Sequence, residues 1–305
     1  MSVLVVGSVA LDSVETPLGK ADDVLGGSAN FFSASASLLT KVSVVGVIGS
    51  DYPVEKLEPL RKRGVDYSGL EKAEGQSFRW RGRYRHDLNS AETLETHLGV
   101  FSHFSPKIPD KLRDSPVVFL ANIDPRLQLD VLEQVKKPKL VACDTMNFWI
   151  QSRRPDLLKL LSLVDLVTLN DAEARQLTEK FNLVQAAQWI MARGPRHVII
   201  KKGEHGAFMF TQNSIFFAPA FPLESVFDPT GAGDSFAGGF IGYLSETGDL
   251  SEANMRRAVI YGSVMGSFAV EKFSIERLLT VTRAEIDQRV RDMRRLVTFE
   301  EELPA

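Results

Sequence analysis

Short apolar runs recur along the chain and alternate with segments of helical character. Six runs have the composition of buried strands: Val3–Val6, Val42–Ile48, Val117–Leu120, 140–143, 166–169 and 197–200. Helical patterns follow over 30–39, 126–134, 155–162, 171–179 and 184–193. Near-continuous Val, Ile and Leu strands that alternate with such helices are typical of βαβ units. The pattern predicts an α/β fold whose mostly parallel central sheet is flanked by helices on both faces.

Two segments interrupt this alternation. Residues 11–25 are largely polar and lack helical periodicity. In 77–86, basic residues alternate with largely aromatic ones: Arg79, Arg81, Arg83 and Arg85 with Phe78, Trp80, Gly82 and Tyr84. Strict alternation predicts a strand with one basic and one aromatic face. We expect about 11–25 and 77–97 to form a small β lid, inserted in a single domain over 1–305.

The arginine row of this lid has two interpretations. The simpler one is a solvated strand face, and the alternative is that one arginine reaches an anionic group of a substrate. An exposed lid strand also offers an edge that a second subunit could pair with, which would give a homodimer.

The C-terminal third has a different pattern, with three long helical segments over 235–246, 251–268 and Arg283–Val297. The whole chain has 305 residues, of which 44% are hydrophobic and 25% charged, and a formal net charge of −3. This balance gives no positive field for nucleic acid or an anionic membrane, so a small-molecule partner is expected.

Cysteine content and hydropathy limit the chain further. The single cysteine, Cys143, excludes a disulfide framework and lies in an apolar run, where we expect it to be buried. The sequence has neither a secretory signal pattern nor an apolar stretch of membrane-spanning length, and we expect a cytoplasmic protein.

The strongest candidate chemistry lies in Asp228-Pro-Thr-Gly-Ala-Gly-Asp234, which is followed by Ser-Phe-Ala-Gly-Gly-Phe240. The glycines allow a tight bend, and the small apolar residues after Asp234 predict a helix. Gly231, Ala232 and Gly233 should then form a helix N-terminus whose free N–H groups attract an anion. Phosphoryl transfer to a hydroxyl needs such donors and a base, the role we expect for Asp234. The alternative is that Asp234 only caps the helix.

Two common phosphate-binding motifs are absent. The sequence has no G-x-x-x-x-G-K-[ST], so it is not a P-loop enzyme. The 231–236 segment fails G-x-G-x-x-G because residue 236 is Phe. The turn after the first strand, at 7–12, also lacks that motif, which disfavours an NAD-dependent oxidoreductase.

Taken together, these motifs resemble a known family. Residues 228–240 resemble the C-terminal signature of the ribokinase/PfkB family of carbohydrate and nucleoside kinases. Gly26-Gly-Ser-Ala-Asn30 resembles its N-terminal Gly-Gly motif, and Asn170-Asp-Ala-Glu173 its Asn-x-x-Glu motif. Lys202-Gly-Glu-His-Gly206 is similar to its nucleotide-side turn, and a first strand ending at Gly7 with Asp12 just beyond is similar to its opening. The matches span residues 3 to about 240 in the family's order, which implies a ribokinase-like fold.

The resemblance also implies roles for individual residues. Asp234 is the base, and the N–H groups of Gly231, Ala232 and Gly233 form the anion hole. The residues that bind the acceptor's hydroxyls are Asp12, Gly27 and Asn30. Those on the nucleotide side are Lys202, Gly203, Gly206 and Thr230.

The implied cofactors are ATP, Mg2+ and, in some members, K+. Asn170 and Glu173 would position Mg2+ through water. Asp228, together with Thr230, stands where members that use a monovalent cation bind potassium, and 271–274 would complete that site and the adenine pocket.

The pattern of strands supports several of these roles independently. Asp12 and Asn170 each come after a predicted strand, at the end where open α/β sheets bind ligands. Asp144 and Asn147 lie at the same end and are candidates for contact with the nucleotide or Mg2+. The alternatives are that Asp12 is a simple loop carboxylate and that Asn170 and Glu173 form a helix capping box.

The acceptor is left open between a neutral sugar and a nucleoside, with a phosphosugar read by the lid arginines as a third option. Ser28 stands where typical ribokinases have Lys, which argues against ribose. The aromatic residues Phe31, Phe32, Phe78, Trp80 and Tyr84 could stack on a nucleobase, although Phe31 and Phe32 are expected to pack in the core. A catalytically silent relative that senses sugar or nucleotide is the alternative function.

Overall fold

The computed structural model describes residues 1–298, which contain thirteen β-strands and eleven α-helices. The strands are β1 (Val3–Val6), β2 (Ala10–Thr16), β3 (Gly19–Gly26), β4 (Val42–Ile48), β5 (Asp66–Lys72), β6 (Phe78–Tyr84), β7 (Ala91–His97), β8 (Val117–Leu120), β9 (Leu140–Asp144), β10 (Leu166–Asn170), β11 (His197–Lys201), β12 (Ala207–Phe210) and β13 (Ile215–Ala218). The helices are α1 (Ser28–Ala36), α2 (Glu58–Lys62), α3 (Pro125–Gln134), α4 (Asn147–Ser152), α5 (Arg154–Leu161), α6 (Asp171–Thr178), α7 (Leu183–Met191), α8 (Ala232–Thr247), α9 (Glu252–Ala269), α10 (Glu276–Thr280) and α11 (Arg283–Val297).

Nine strands form the central sheet, in the order β13-β12-β11-β10-β9-β8-β1-β4-β5. The strands from β11 to β5 run parallel to one another, whereas β12 and β13 are antiparallel to their neighbours. The mostly parallel sheet is therefore confirmed, and all six predicted runs are strands of it. The prediction missed β5, β12 and β13, which extend the sheet at its two ends.

Helices cover both faces of this sheet because side chains of each strand alternate between two apolar clusters. Val3 and Val5 face a cluster completed by α1, α8, α9 and α11. Leu4 and Val6 face the other cluster, which is completed by α3, α5, α6 and α7. Phe31 and Phe32 are buried in the first cluster, where the Phe32 and Phe119 ring centroids lie 4.5 Å apart. Cys143 is buried, as expected.

A second sheet, in the order β3-β2-β6-β7, forms the lid. Two antiparallel hairpins, β2–β3 and β6–β7, are joined by parallel pairing of β2 with β6. These strands cover the two segments predicted for the lid. One expectation changes: Asp12 lies inside β2 rather than in a loop after β1, because the chain enters the lid only three residues after β1 ends.

The two faces of β6 have different partners. On the basic face, Arg79 pairs with Asp51 at 2.9 Å and with Asp23 at 3.4 Å. Arg83 pairs with Glu15, and Arg85 with Glu92. On the aromatic face, the Tyr84 hydroxyl lies 3.3 Å from Oγ1 of Thr230, outside the lid. The aromatic face of β6 therefore faces the 228–234 segment.

Within residues 1–298, no helix is both long enough and apolar enough to cross a bilayer.

Candidate active site

The 228–234 segment forms the turn that leads into α8. Gly231 has a φ of +71°, in the left-handed region that favours glycine, and a Cβ there would lie 2.2 Å from the Phe31 ring. The Ala232 N–H donates to the Pro229 carbonyl oxygen at 3.2 Å. Within residues 1–298, no acceptor pairs with the N–H groups of Gly231, Gly233 and Asp234. The free donors of this helix start therefore include two of the three predicted residues, and Asp234 in place of Ala232.

Asp234 lies in the first turn of α8, near Asp144 and Lys201 at the ends of two central strands and near Asp12 in the lid. The region between these residues is called the cleft below. Burial, together with the nearby charges of Asp144 and Glu173, raises the pKa of its carboxyl group to about 7, against the opposing effect of Lys201. A carboxyl group with a pKa near neutrality can accept a proton and release it again at physiological pH. The position and the pKa of Asp234 both suit a general base.

Lys201 also lies at this site, although the sequence did not predict it. Its Nζ donates to Oδ2 of Asp144 at 3.1 Å, and a Cβ on Gly233 would lie only 2.9 Å from Nζ. Lys202, the predicted lysine, begins the turn after β11, where its N–H donates to the Gly206 carbonyl oxygen at 2.7 Å. The pattern that could have found Lys201 is its place as the last residue of a buried parallel strand, at the ligand-binding end of the sheet.

The predicted acceptor residues come together where lid strand β2 meets the start of α1. Asp12 is 5% exposed, and burial raises the pKa of its carboxyl group to about 7. The Gly27 N–H, 3.4 Å from Oδ2 of Asp12, opposes this rise, whereas the charges of Asp228 and Asp234 add to it. The two aspartates Asp12 and Asp234, separated by most of the chain, thus face the same cleft.

Asn30 lies at the back of the same pocket. Its Nδ2 donates to the Gly26 carbonyl oxygen at 2.7 Å and to the hydroxyl of Tyr52 at 2.9 Å. Its Oδ1 is buried and has no hydrogen-bond partner among residues 1–298. A buried amide oxygen without a partner is costly, and a hydroxyl group of a ligand would satisfy it. Tyr52, which follows β4, was not predicted at the site.

The turn before α1 is built without a lysine. Gly27 has a φ of +87°, and a Cβ there would lie 2.5 Å from the Ser8 carbonyl oxygen. Ser28 is buried and exchanges hydrogen bonds with Ser8, from the Ser8 N–H at 3.2 Å and from its own N–H to Oγ of Ser8 at 3.0 Å. The side chain at 28 is therefore part of the turn itself.

Asn170 and Glu173 form a capping box at the start of α6. The Glu173 N–H donates to Oδ1 of Asn170 at 2.8 Å, and the Asn170 N–H donates to Oε2 of Glu173 at 2.7 Å. Burial and the charge of Asp144 raise the pKa of Glu173 to about 7. The capping alternative is thus present, and it leaves Oε1 of Glu173 free beside Asp144.

The fit of these acids to Mg2+ follows from their number and spacing. Within residues 1–298, no three His, Cys, Asp or Glu side chains are arranged to hold a metal ion directly. Mg2+ commonly keeps several waters and binds one or two carboxylates together with substrate phosphates. Asp144 and Glu173 provide that kind of partial ligand set, so the site fits Mg2+ brought in with a nucleotide.

Asp228 organises the loops that flank the turn. Its carboxylate accepts the N–H of Thr230 at 2.9 Å and the N–H of Ser274 at 3.0 Å. The hydroxyl of Ser274 in turn donates to the Leu25 carbonyl oxygen in the lid. Burial raises the pKa of Asp228. The predicted cation site, the loop after α9 and the lid therefore meet at one carboxylate.

The predicted nucleotide-side residues lie on the other flank of the cleft. Lys202, Gly203 and Gly206 form the turn between β11 and β12. Asn89, at the tip of the β6–β7 hairpin, packs against Gly203. The lid therefore extends from the acceptor pocket to the nucleotide-side turn.

This architecture is shared with solved structures. A protein described as ribokinase II from E. coli, in complex with ATP and Mg2+, matches with a TM-score of 0.79 at 18% identity, covering 95% of this chain and 99% of that one. Nucleoside kinase from Burkholderia thailandensis in complex with inosine matches with a TM-score of 0.77 at 22% identity, covering 95% and 97%. The fold is that of the ribokinase-like kinases.

The sequence comparison identifies the family. Residues 2–279 match the pfkB family carbohydrate kinase, and the chain belongs to this family. It is 32% identical over 259 residues to cytidine kinase from Thermococcus kodakarensis, which covers 83% of this chain and 91% of that relative. The protein is therefore a phosphotransferase of the carbohydrate and nucleoside kinase type.

Proposed function

We propose that the protein transfers the γ-phosphoryl group of ATP to a hydroxyl group of a nucleoside, with Asp234 as the base. The observation that supports this most directly is the position of Asp234. It starts a helix with free N–H donors, and its charge acts on both Asp12 in the acceptor pocket and the Asp144–Lys201 pair. A base between a hydroxyl-binding pocket and an anion-binding turn is what transfer to a hydroxyl requires.

In the proposed reaction, Asp12 and Asn30 hold hydroxyl groups of the acceptor, and Asn30 uses its unpaired Oδ1. Asp234 takes the proton of the hydroxyl that attacks. The N–H groups at 231, 233 and 234 stabilise the negative charge on the oxygens of the transferred group. In this anion hole the N–H of Asp234 takes the place predicted for that of Ala232, which is paired with Pro229. The closed lid excludes water, which would otherwise compete with the acceptor.

The nucleoside is favoured over a simple sugar by the lid. Trp80 is the register partner of Asp12 across the parallel β2–β6 pair, so both side chains stand on the cleft-facing side. Tyr84 is on the same face of β6 and reaches Thr230. Aromatic faces beside hydroxyl-binding groups suit a base attached to a sugar. The relative at 32% identity is a cytidine kinase, which agrees with this choice.

ATP and Mg2+ are the proposed cosubstrate and metal. The E. coli neighbour is solved with both. Asn170, Glu173 and Asp144 would hold Mg2+ largely through water, and the ion would neutralise phosphate charge when bound. Lys202, Gly203, Gly206 and Thr230 would line the nucleotide. Asp228 is the proposed ligand of K+. A comparison of turnover in potassium and in tetramethylammonium buffers tests this role.

The proposal treats 1–305 as one kinase domain with an inserted lid and includes dimerisation through the lid. Every residue of β7, at the edge of that sheet, is exposed. An exposed edge strand can pair with a second copy. Sedimentation of the wild type and of a Thr93→Pro variant in β7 tests this. If the two proteins sediment with the same mass, the lid is not the interface.

The deciding experiment is a panel of nucleosides and sugars assayed for ATP turnover, with Asp234→Asn beside the wild type. We expect turnover with at least one nucleoside and a loss of about 10³-fold or more in the variant, since the Asn side chain cannot accept the proton of the attacking hydroxyl. Acceptor binding, measured by calorimetry, should change little. Binding without turnover in the wild type would instead support the sensor alternative, and turnover with sugars alone would reject the nucleoside.

A further inference from the structure

Lys201 occupies a position that its pairing with Asp144 alone does not explain. Its side chain is 16% exposed and that of Asp144 is 6% exposed, so both charged groups are largely shielded from solvent. The ammonium group has three N–H donors, and one of them goes to Oδ2 of Asp144. The other two have no acceptor among residues 1–298.

The ammonium group of Lys201 lies against Gly233. A Cβ on Gly233 would meet Nζ of Lys201 at 2.9 Å, and the next nearest contacts are also atoms of the Lys201 side chain. No left-handed φ explains a glycine at this position, whereas Gly231 has one. The missing side chain at 233 leaves room for an ammonium group directly against the turn whose N–H groups are free.

We propose that Lys201 contacts the phosphoryl group as it is transferred and offsets the charge on its oxygens, with Asp144 as the residue that positions the ammonium group. This inference rests on the proposed kinase reaction, and it gives the catalytic cation to Lys201, whereas Lys202 stays on the nucleotide side. The step itself is unchanged: the acceptor oxygen bonds to phosphorus, the bond to the ADP oxygen breaks, and Asp234 takes the proton.

The surrounding charges support this role. Asp144 raises the pKa of both Glu173 and Asp234, and Glu173 also raises that of Asp234. The charge of Lys201 lowers the pKa of both Glu173 and Asp234. An ammonium group is a compact charge that can move between oxygens without losing its hydrogen bonds. In a site shielded from water, such a preorganised donor stabilises developing negative charge far better than it does in solution.

A purely structural role makes a different prediction. If Lys201 only compensates the buried Asp144, its removal should cost nothing further once Asp144 has lost its charge, so Lys201→Met/Asp144→Asn should match Asp144→Asn. If Lys201 contacts the phosphoryl group, the double variant should be far less active than Asp144→Asn. Asp144→Asn is the reference because Asp144 is itself proposed to hold Mg2+ through water, and the double variant leaves no uncompensated buried carboxylate.

The experiment measures kcat and KM for Lys201→Met, Asp144→Asn, the double variant and Lys202→Met, using the acceptor on which the wild type is active. We expect kcat to fall about 10²- to 10³-fold from the wild type to Lys201→Met, and by a similar factor from Asp144→Asn to the double variant. The KM for the acceptor should change little, because the acceptor is bound by Asp12 and Asn30. Lys202→Met should act mainly on the KM for ATP.

Chemical rescue gives a second readout. In Lys201→Ala, millimolar ethylamine should restore part of kcat, whereas ethanol, which has nearly the same size but no charge, should not. The inference is overturned if the double variant has the same kcat as Asp144→Asn or if ethanol and ethylamine act alike. A wild type with no turnover on the whole panel would reject the proposed function instead.

Discussion

Gly231 is constrained at the scale of a single residue in two separate ways. Its φ of +71° disfavours any side chain, and a Cβ would also collide with the ring of Phe31 at 2.2 Å. Gly248, at the other end of α8, has a similar φ of +69° but open space around the Cβ position. The two glycines of one helix therefore separate the cost of backbone conformation from the cost of a clash.

We expect Gly248→Ala to lower the free energy of unfolding by about 1–2 kcal/mol, the cost of a left-handed residue with a Cβ. Gly231→Ala should lose a further 1–3 kcal/mol, roughly, because Phe31 or the turn must move. Only Gly231→Ala should also reduce turnover, since the turn carries the free N–H groups. Urea denaturation and steady-state assays measure both effects, and equal losses of stability would contradict the assigned clash.

The sequence predicts the 231–234 turn and the 202–206 turn but not Lys201, which lies between them. Both turns could be predicted because the spacing of glycines is a local property of the sequence. Which of two consecutive lysines faces the cleft depends on the pleat at the end of β11, because successive side chains of a strand point to opposite faces. Tyr52 was missed for a related reason: its contact with Asn30 joins residues 22 positions apart and leaves no local pattern.

At the scale of elements, the lid is attached to the rest of the molecule through β6. Arg79 connects this strand to Asp23 in β3 and to Asp51 in the loop after β4. Asp51 also accepts hydrogen bonds from the N–H and the hydroxyl of Ser77, just before β6, both at 2.7 Å. This small network attaches β6 to the loop after β4, on the face of β6 opposite Tyr84.

We expect Arg79→Ala to raise the KM for the acceptor about five-fold, because ion pairs of partly exposed groups contribute roughly 1 kcal/mol or less. The melting temperature should stay nearly constant, since the main core is not touched. Arg81, exposed on the same face of β6, provides the matched control as Arg81→Ala. Equal KM values for the two variants would show that Arg79 does not stabilise the closed lid.

Elements were predicted best where the strands are apolar and buried. The runs at Val42–Ile48 and Val117–Leu120 match the strands residue for residue. β5, with the sequence Asp-Tyr-Ser-Gly-Leu-Glu-Lys, lies at an edge and is partly exposed, so its polar residues hide the strand pattern. β12 and β13 form an antiparallel hairpin, which an alternation of parallel strands with helices does not predict.

At the scale of the whole molecule, the fold gathers acids from distant segments into one cleft. The central sheet contributes Asp144, α6 contributes Glu173, α8 contributes Asp234 and the lid contributes Asp12. The pKa values of Asp12, Glu173 and Asp234 are each raised to about 7, mainly by burial. In the unfolded chain the same groups titrate near their ordinary values of 3.8 for Asp and 4.5 for Glu.

The direction of the resulting pH dependence follows from proton binding. Between about pH 4 and pH 7 the folded state holds protons on these carboxyl groups that the unfolded state has released. Their contribution to stability is therefore complete below about pH 4 and is lost as the pH rises through 7. Paired surface acids such as Glu285, whose pKa is lowered to about 2 by Arg277, act in the opposite direction. The net curve mixes both groups, so a single variant must isolate the buried one.

Asp12→Asn removes one buried carboxyl group while keeping its shape, and Asp130→Asn removes an exposed one as a control. We expect the stability of Asp12→Asn, relative to wild type, to increase steadily from pH 4 to pH 7, because the variant no longer has to bury a charge at position 12. The difference should reach on the order of a few kcal/mol and should not occur for Asp130→Asn. Melting curves of the protein without ligands at several pH values measure it. A difference that stays constant or shrinks as the pH rises would mean that Asp12 is already ionised in the folded protein, with its charge compensated in the pocket.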